Sequence, residues 1–168
     1  MRIREATLAD APAIAAGMKA ILGEADWLAT PRSTPTSALE ERFARTLGHH
    51  GTEDVLLVAD DEGAIVGCTG IQPTQIADAW SLGTWVAASH RRRGLGRRMI
   101  EAALVVAVER GVRKLALEAF SDNGPAVALY SSTGFEVEGI RRDHYLREDG
   151  TLRSAIVMAL FPAGGPRT

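Results

Sequence analysis

The run Arg91-Arg92-Arg93-Gly94-Leu95-Gly96 stands between two stretches of opposite character. Before it, Trp80 to Val86 is apolar and β-rich; after it, Ile100, Ala103, Leu104, Ala107 and Val108 recur at helical spacing until Gly111. A further β-rich stretch, Lys114 to Phe120, follows. Strand, glycine turn, helix and strand leave few topologies. The two strands should be parallel neighbours, joined by a right-handed crossover. The turn itself suits an anion: glycine allows a tight bend, backbone N–H groups point outward, and the helix dipole favours negative charge.

The rest of the chain predicts a mixed-sheet α/β domain. Arg2 to Ala6 reads as a first strand, and Thr7 caps a helix whose apolar face carries Ala11, Ile14, Ala15, Met18 and Leu22. Gly23 to Pro35 reads as a loop, and Thr36 or Ser37 caps a second helix that ends at Gly48. Strands are expected at Val55 to Ala59, Ala64 to Ile71 and Ala79 to Val86, the first two joined by the hairpin Asp60-Asp61-Glu62-Gly63. A short helix is expected at Gly124 to Ser132. Phe135 to Ile140 and Ser154 to Leu160 read as the last strands, turning through Glu148-Asp149-Gly150. One domain over 1–161 with a frayed tail at 162–168 is the simplest division.

Composition narrows the partners. A net charge of −2 exerts no global pull toward nucleic acid or anionic membrane. Cys68 is the single cysteine, so no intramolecular disulfide forms, and its mid-strand place reads as a buried small hydrophobe. The N-terminal residues lack a signal-peptide pattern, and no segment approaches the roughly 18 apolar residues that span a bilayer. The expectation is a cytoplasmic protein. His49-His50 has no partnering ligands at metal-site spacing, so no metal is expected.

The candidate functional residues gather around the turn and the strand after it. No Lys-Ser or Lys-Thr follows the glycines, and no Gly-x-Gly-x-x-Gly with a downstream acid appears, which argues against nucleotide and dinucleotide loops. Asn123 and Tyr130 are two helical turns apart and can share a face, although Tyr130 also fits an ordinary core aromatic. The arginines at 91, 92, 93, 97 and 98 also fit a solvated face or a nucleic-acid patch.

Together, Arg91-x-x-Gly94-x-Gly96 and Asn123-x-x-Ala126-x-x-Leu129-Tyr130-x-x-x-Gly134-Phe135 resemble the GNAT superfamily of acetyl-CoA-dependent N-acetyltransferases. The resemblance is sharp from about Trp80 to Glu138 and loose before Val55. It implies a mostly antiparallel sheet whose fourth and fifth strands are parallel and splayed. It implies that Arg91, Arg93, Gly94, Leu95, Gly96, Arg97 and Arg98 hold the phosphates of coenzyme A. Val86, Ala87 and Ala88 would pair with the pantetheine arm, Asn123 would contact that arm or hold the fifth strand open, and Tyr130 would sit near the sulfur. The family often dimerises, and Phe161 with the last strand could contribute.

The chemistry asks for matching parts. An amine attacks a thioester directly, so a free N–H near Val86 can stabilise the oxyanion. A phenol, Tyr130, can protonate the leaving thiolate. A lysine-like amine is neutral in roughly one molecule per few thousand at pH 7, so a base is useful. Glu118, on the fifth strand, is the first candidate; His144, of a residue type that serves as a ready base near neutral pH, is the second. Many relatives carry an acid or His on the fourth strand, and Trp80 to Trp85 offers none. Asp26 and Trp27, in the loop where this family commonly builds its acceptor pocket, suit a cationic amine. The expected acceptor is a small primary amine or amino acid. A protein amine, a non-catalytic acyl-CoA sensor and a nucleic-acid binder are the alternatives.

Overall fold

A computed structural model describes residues 1–24, 27–48 and 53–162. The elements run β1 (Arg2–Glu5), α1 (Ala11–Glu24), α2 (Thr36–Gly48), β2 (Val55–Asp61), β3 (Ala64–Pro73), β4 (Ala79–Val86), α3 (Leu95–Glu109), β5 (Lys114–Phe120), α4 (Gly124–Ser132), β6 (Glu136–Leu146) and β7 (Leu152–Leu160). Element order follows the sequence reading. The expected tail lies outside the described residues except for Pro162, as do Asp26 and His49-His50.

The strands form one seven-stranded sheet in the order β1-β2-β3-β4-β5-β7-β6. Every neighbouring pair is antiparallel except β4 and β5, the pair that flanks the α3 crossover. Strand alternation sends side chains to both faces. Leu57, Trp80, Leu82, Leu115 and Leu117 pack with Ile100, Ala103 and Ala107 of α3 and Tyr130 of α4. On the other face, Val58, Cys68 and Trp85 pack with Ile14, Ala15, Met18 and Leu22 of α1 and Leu39 and Phe43 of α2. No helix among the described residues is long and apolar enough to cross a membrane.

Two local features fix the placement of the helices. On α1, a Cβ built on Gly17 would stand 2.2 Å from Cη2 of Trp85, so the helix backbone lies flush on the indole. At the N-terminus, Arg4 donates from Nη1 and Nη2 to the two Asp10 carboxylate oxygens, both at 2.8 Å, and reaches Asp60 at 3.0 Å. Asp10 also accepts from the Thr7 amide at 2.7 Å. The Arg4 guanidinium, helped by Thr7, holds the Asp10 carboxyl well below the usual carboxylate range.

Several boundaries differ from the sequence reading, and two of them bear on the site. The helix expected after Gly96 starts at Leu95, because Gly94 adopts the left-handed conformation (φ 78°) and serves as its N-cap. The strand expected at Phe135 to Ile140 continues to Leu146 with irregular pairing between Arg141 and Tyr145. The polar run Arg141-Arg142-Asp143-His144 conceals this continuation, since it lacks the alternation of a half-buried strand.

Candidate active site

The parallel pairing of β4 and β5 covers only Ala79↔Lys114, Trp80↔Leu115 and Ser81↔Ala116. Beyond it, β4 continues along β3 as far as Val86↔Gly67, and β5 continues along β7 as far as Phe120↔Ala155. The sheet therefore opens between them. The Ala87 amide donates to Val66 at 2.9 Å, so odd-numbered residues of β4 bond toward β3. By the alternation of an antiparallel ladder, Thr84 and Val86 turn their N–H groups toward the opening. The Val86 carbonyl accepts from Arg91 Nε at 2.8 Å.

The glycine turn lies at the end of this opening. Arg92 (φ 61°) and Gly94 (φ 78°) both take left-handed backbone. The Arg98 amide donates to Gly94 at 3.1 Å, the first helical bond of α3. The amides of Leu95, Gly96 and Arg97 precede it and have no helical carbonyl to reach. At Gly96 a Cβ would stand 3.0 Å from Leu129 Cδ2 and 3.9 Å from Val86 Cγ2, so α3, α4 and β4 converge there without a side chain between them. Donors, dipole and clearance together fit a diphosphate. The arginines divide. Arg93 and Arg98 are exposed, Arg97 faces Glu101 at 3.7 Å, and Arg91 is tied to Glu24 at 2.7 Å. Arg91 thus braces the end of β4 against α1. Ala87 and Ala88, at the exit of β4, are half-buried and exposed respectively.

Tyr130 and Glu118 belong to opposite faces of the sheet. Tyr130 packs edge-on against Phe135 on the α3 side, with ring centroids 5.9 Å apart. Burial pushes its phenol up to about 12. Asn123 caps α4, its side-chain oxygen accepting from the Ala126 amide at 3.3 Å. Glu118 has the opposite parity on β5 from buried Leu117 and Ala119. Its Oε2 accepts from Tyr145 Oη at 2.8 Å, and its Oε1 lies 3.3 Å from Arg141 Nη1.

Beside Glu118 is a small cavity of about 30 Å³, lined by Trp27, Ala29, Ala119, Phe120, Tyr145 and Ala155. Its walls are joined by the turn between β6 and β7. Arg147 Nη1 donates to the Ala29 carbonyl at 3.4 Å, and Glu148 accepts from the Ser33 amide at 3.2 Å. Arg153 lies 4.2 Å over the Phe120 ring and 5.2 Å over Trp27, and pairs with Asp122. The structure therefore brings Trp27 to Glu118. His144 is exposed, with Nε2 accepting from Arg141 at 3.2 Å, so that lone pair is already engaged.

Sequence reasoning missed Tyr145, Arg141, Arg147 and Arg153. The first two are equal in parity along β6, a signal available only once the strand is extended through its polar stretch. Cys68 is 3% exposed, and burial pushes its thiol up to about 12, in keeping with a packing role. Among the described residues no group of three or more His, Cys, Asp or Glu could hold a metal ion.

Residues 21–135 match the model of a family described as acetyltransferase (GNAT) family. The chain is 44% identical over 71 residues to the [ribosomal protein bS18]-alanine N-acetyltransferase of Escherichia coli K12, covering 42% of this chain and 47% of that one. It is 38% identical over 104 residues to the Salmonella typhimurium protein of the same name, covering 62% and 68%. The chain thus spans about half the length of most of the curated relatives it matches. The crystal structure of ribosomal-protein-alanine N-acetyltransferase from Brucella melitensis superposes with a TM-score of 0.84 at 27% identity, covering 96% of this chain and 99% of that one.

Proposed function

The chain belongs to the acetyltransferase (GNAT) family, and from that premise we propose that it moves an acetyl group from acetyl-coenzyme A to a primary amine by direct attack. The observation that carries the reading is the opening beyond Ser81 and Ala116, with the glycine turn at its end. An extended arm lying there would meet the amides of Thr84 and Val86, while the amides of residues 95–97 and the dipole of α3 would hold its diphosphate.

Each residue then has one task. The Val86 N–H donates to the carbonyl oxygen as negative charge develops there. Tyr130 donates a hydrogen bond to the departing thiolate, which takes up the proton that the attacking nitrogen sheds as the amide forms. Glu118 accepts a proton from the incoming ammonium; deprotonating a lysine-like amine at pH 7 costs about 4–5 kcal/mol without such help. Trp27 and Phe120 supply aromatic walls for the amine beside that carboxylate. No acyl-enzyme is involved, which fits a buried Cys68.

The acceptor we favour is a small primary amine or amino acid, because contacts of Arg147 and Glu148 bridge the segments on either side of Glu118. A second reading is a protein α-amine, and the names of the bS18-alanine relatives favour it. Thiol release from acetyl-coenzyme A, measured over small amines, amino acids and peptides beginning with alanine, separates the two. Tight acetyl-coenzyme A binding by calorimetry with no thiol release from any acceptor would instead identify an acyl-CoA sensor. A gel shift that steepens with falling salt and ignores coenzyme A would identify a nucleic-acid binder.

A further inference from the structure

Both oxygens of Glu118 are approached by side chains of one strand, Tyr145 at Oε2 and Arg141 at Oε1. Glu118 is on β5 and its two neighbours are on β6, with β7 between. Residues four apart on a regular strand share a face but are separated by about 13 Å, too far to bracket one carboxylate. The pairing shows how the distance is reduced. Arg141 pairs with Ala155 and Tyr145 with Arg153, so four steps along β6 match two along β7. Asp143 takes φ 47° within this bulge, and its amide donates to Ser154 Oγ at 3.0 Å. The bulged strand keeps both side chains on the Glu118 face while shortening their spacing to about 7 Å.

We propose that the β6 bulge makes Arg141 and Tyr145 positioning residues, a clamp that aims the Glu118 carboxylate at the incoming amine. The proposal rests on the acetyl-transfer reading above. The Tyr145 ring is fixed edge-on by Phe120 and His144, at centroid distances of 5.3 and 4.9 Å. Partial burial, then the Glu118 carboxylate, hold its phenol above the ordinary value, so it stays a donor at working pH. Arg141 is a permanent donor at the other oxygen. A carboxylate so held keeps its remaining lone pairs in a fixed direction, which is what a proton acceptor at a small site requires.

The test compares two small amines of similar size in thiol release: ethylamine, which is mostly protonated at pH 7.5, and methoxyamine, which is mostly neutral there. Tyr145→Phe keeps the ring packing and removes one hydrogen bond to a charged group. Turnover of ethylamine should fall roughly 10- to 100-fold, and that of methoxyamine less than about twofold, with KM for acetyl-coenzyme A unchanged. Adding Tyr145→Phe to Glu118→Gln should cause no further loss with ethylamine. Equal losses with both amines, or additive losses in the double variant, would overturn the clamp. A wild type inactive toward both amines would instead count against the small-amine acceptor, and the hydrogen bond can still be judged without turnover. In ultraviolet titration, the Tyr145 phenol, identified by difference from Tyr145→Phe, should ionise at lower pH in Glu118→Gln; an unchanged titration overturns the clamp.

Discussion

Burial changes what Tyr130 can do for a leaving thiolate. A free phenol near 10 protonates a thiolate of pKa near 8.5 at an uphill cost of about 2 kcal/mol. Against Leu115, Phe135 and the rest of its cluster, Tyr130 is pushed up to about 12. Full transfer from there costs about 5 kcal/mol. A hydrogen bond to a charged group, by contrast, contributes about 1.5–3 kcal/mol without moving the proton. Tyr130→Phe, which keeps the ring contact with Phe135, should therefore lower kcat roughly 10- to 150-fold and leave acetyl-coenzyme A affinity nearly unchanged. The sign for pH follows. The phenol donates only while protonated, below about 12, so Tyr130 contributes no loss of rate between pH 7 and 10. Thiol release across that range, with calorimetry for affinity, checks both statements. A loss beyond about 1000-fold, in the upper range of full general-acid catalysis, would refute the reasoning. So would a basic limb near 10 that vanishes in the Phe variant.

Gly94→Ala puts a side chain on left-handed backbone with open space around it, so the cost is conformational, about 1–2 kcal/mol, seen as a lower Tm together with weaker acetyl-coenzyme A binding. Gly17→Ala drives a methyl group into Trp85; despite about 1 kcal/mol of gained helix propensity, urea unfolding should show a net loss of at least about 1 kcal/mol. Asp10→Asn leaves Arg4 with Asp60 as its one carboxylate partner and should cost about 3 kcal/mol at pH 7. Because the folded-state Asp10 carboxyl lies below its ordinary value, that stabilisation is present above about pH 4 and lost as pH falls below it. The gap between the unfolding midpoints of wild type and variant should therefore narrow progressively as pH falls below about 4.

The strand-turn-helix-strand unit was legible because it is local: periodicity switches at Gly94 and Gly111, and a crossover of that length dictates parallel strands. The burial of Cys68 and the core-aromatic reading of Tyr130 were similarly near at hand. Glu118 was recognisable as an acid near the expected gap. The company it keeps was not. Tyr145 and Arg141 reach it only through a bulge that spans two strand registers, and no local pattern in Arg141-Arg142-Asp143-His144 announces one. Likewise, Arg91 reads as one of five phosphate-seeking arginines, yet it meets Glu24, 67 positions earlier in the chain, across the end of α1. Side chains that bridge distant segments are decided by packing, which a linear reading does not contain.

The three-pair seam between β4 and β5 has a consequence for the protein between turnovers. A sheet normally exposes peptide groups only at its two outer margins, where bulges and charge discourage strangers. Here a third margin lies in the middle, made of Thr84 and Val86 on one lip, and on the proposed reading it must stay receptive because the pantetheine arm would lie there. Nothing can be placed there to repel an extended chain without also repelling the proper guest. On the acetyl-transfer reading, acetyl-coenzyme A therefore covers an open margin as well as reacting, and storage without it leaves that margin bare to any extended chain.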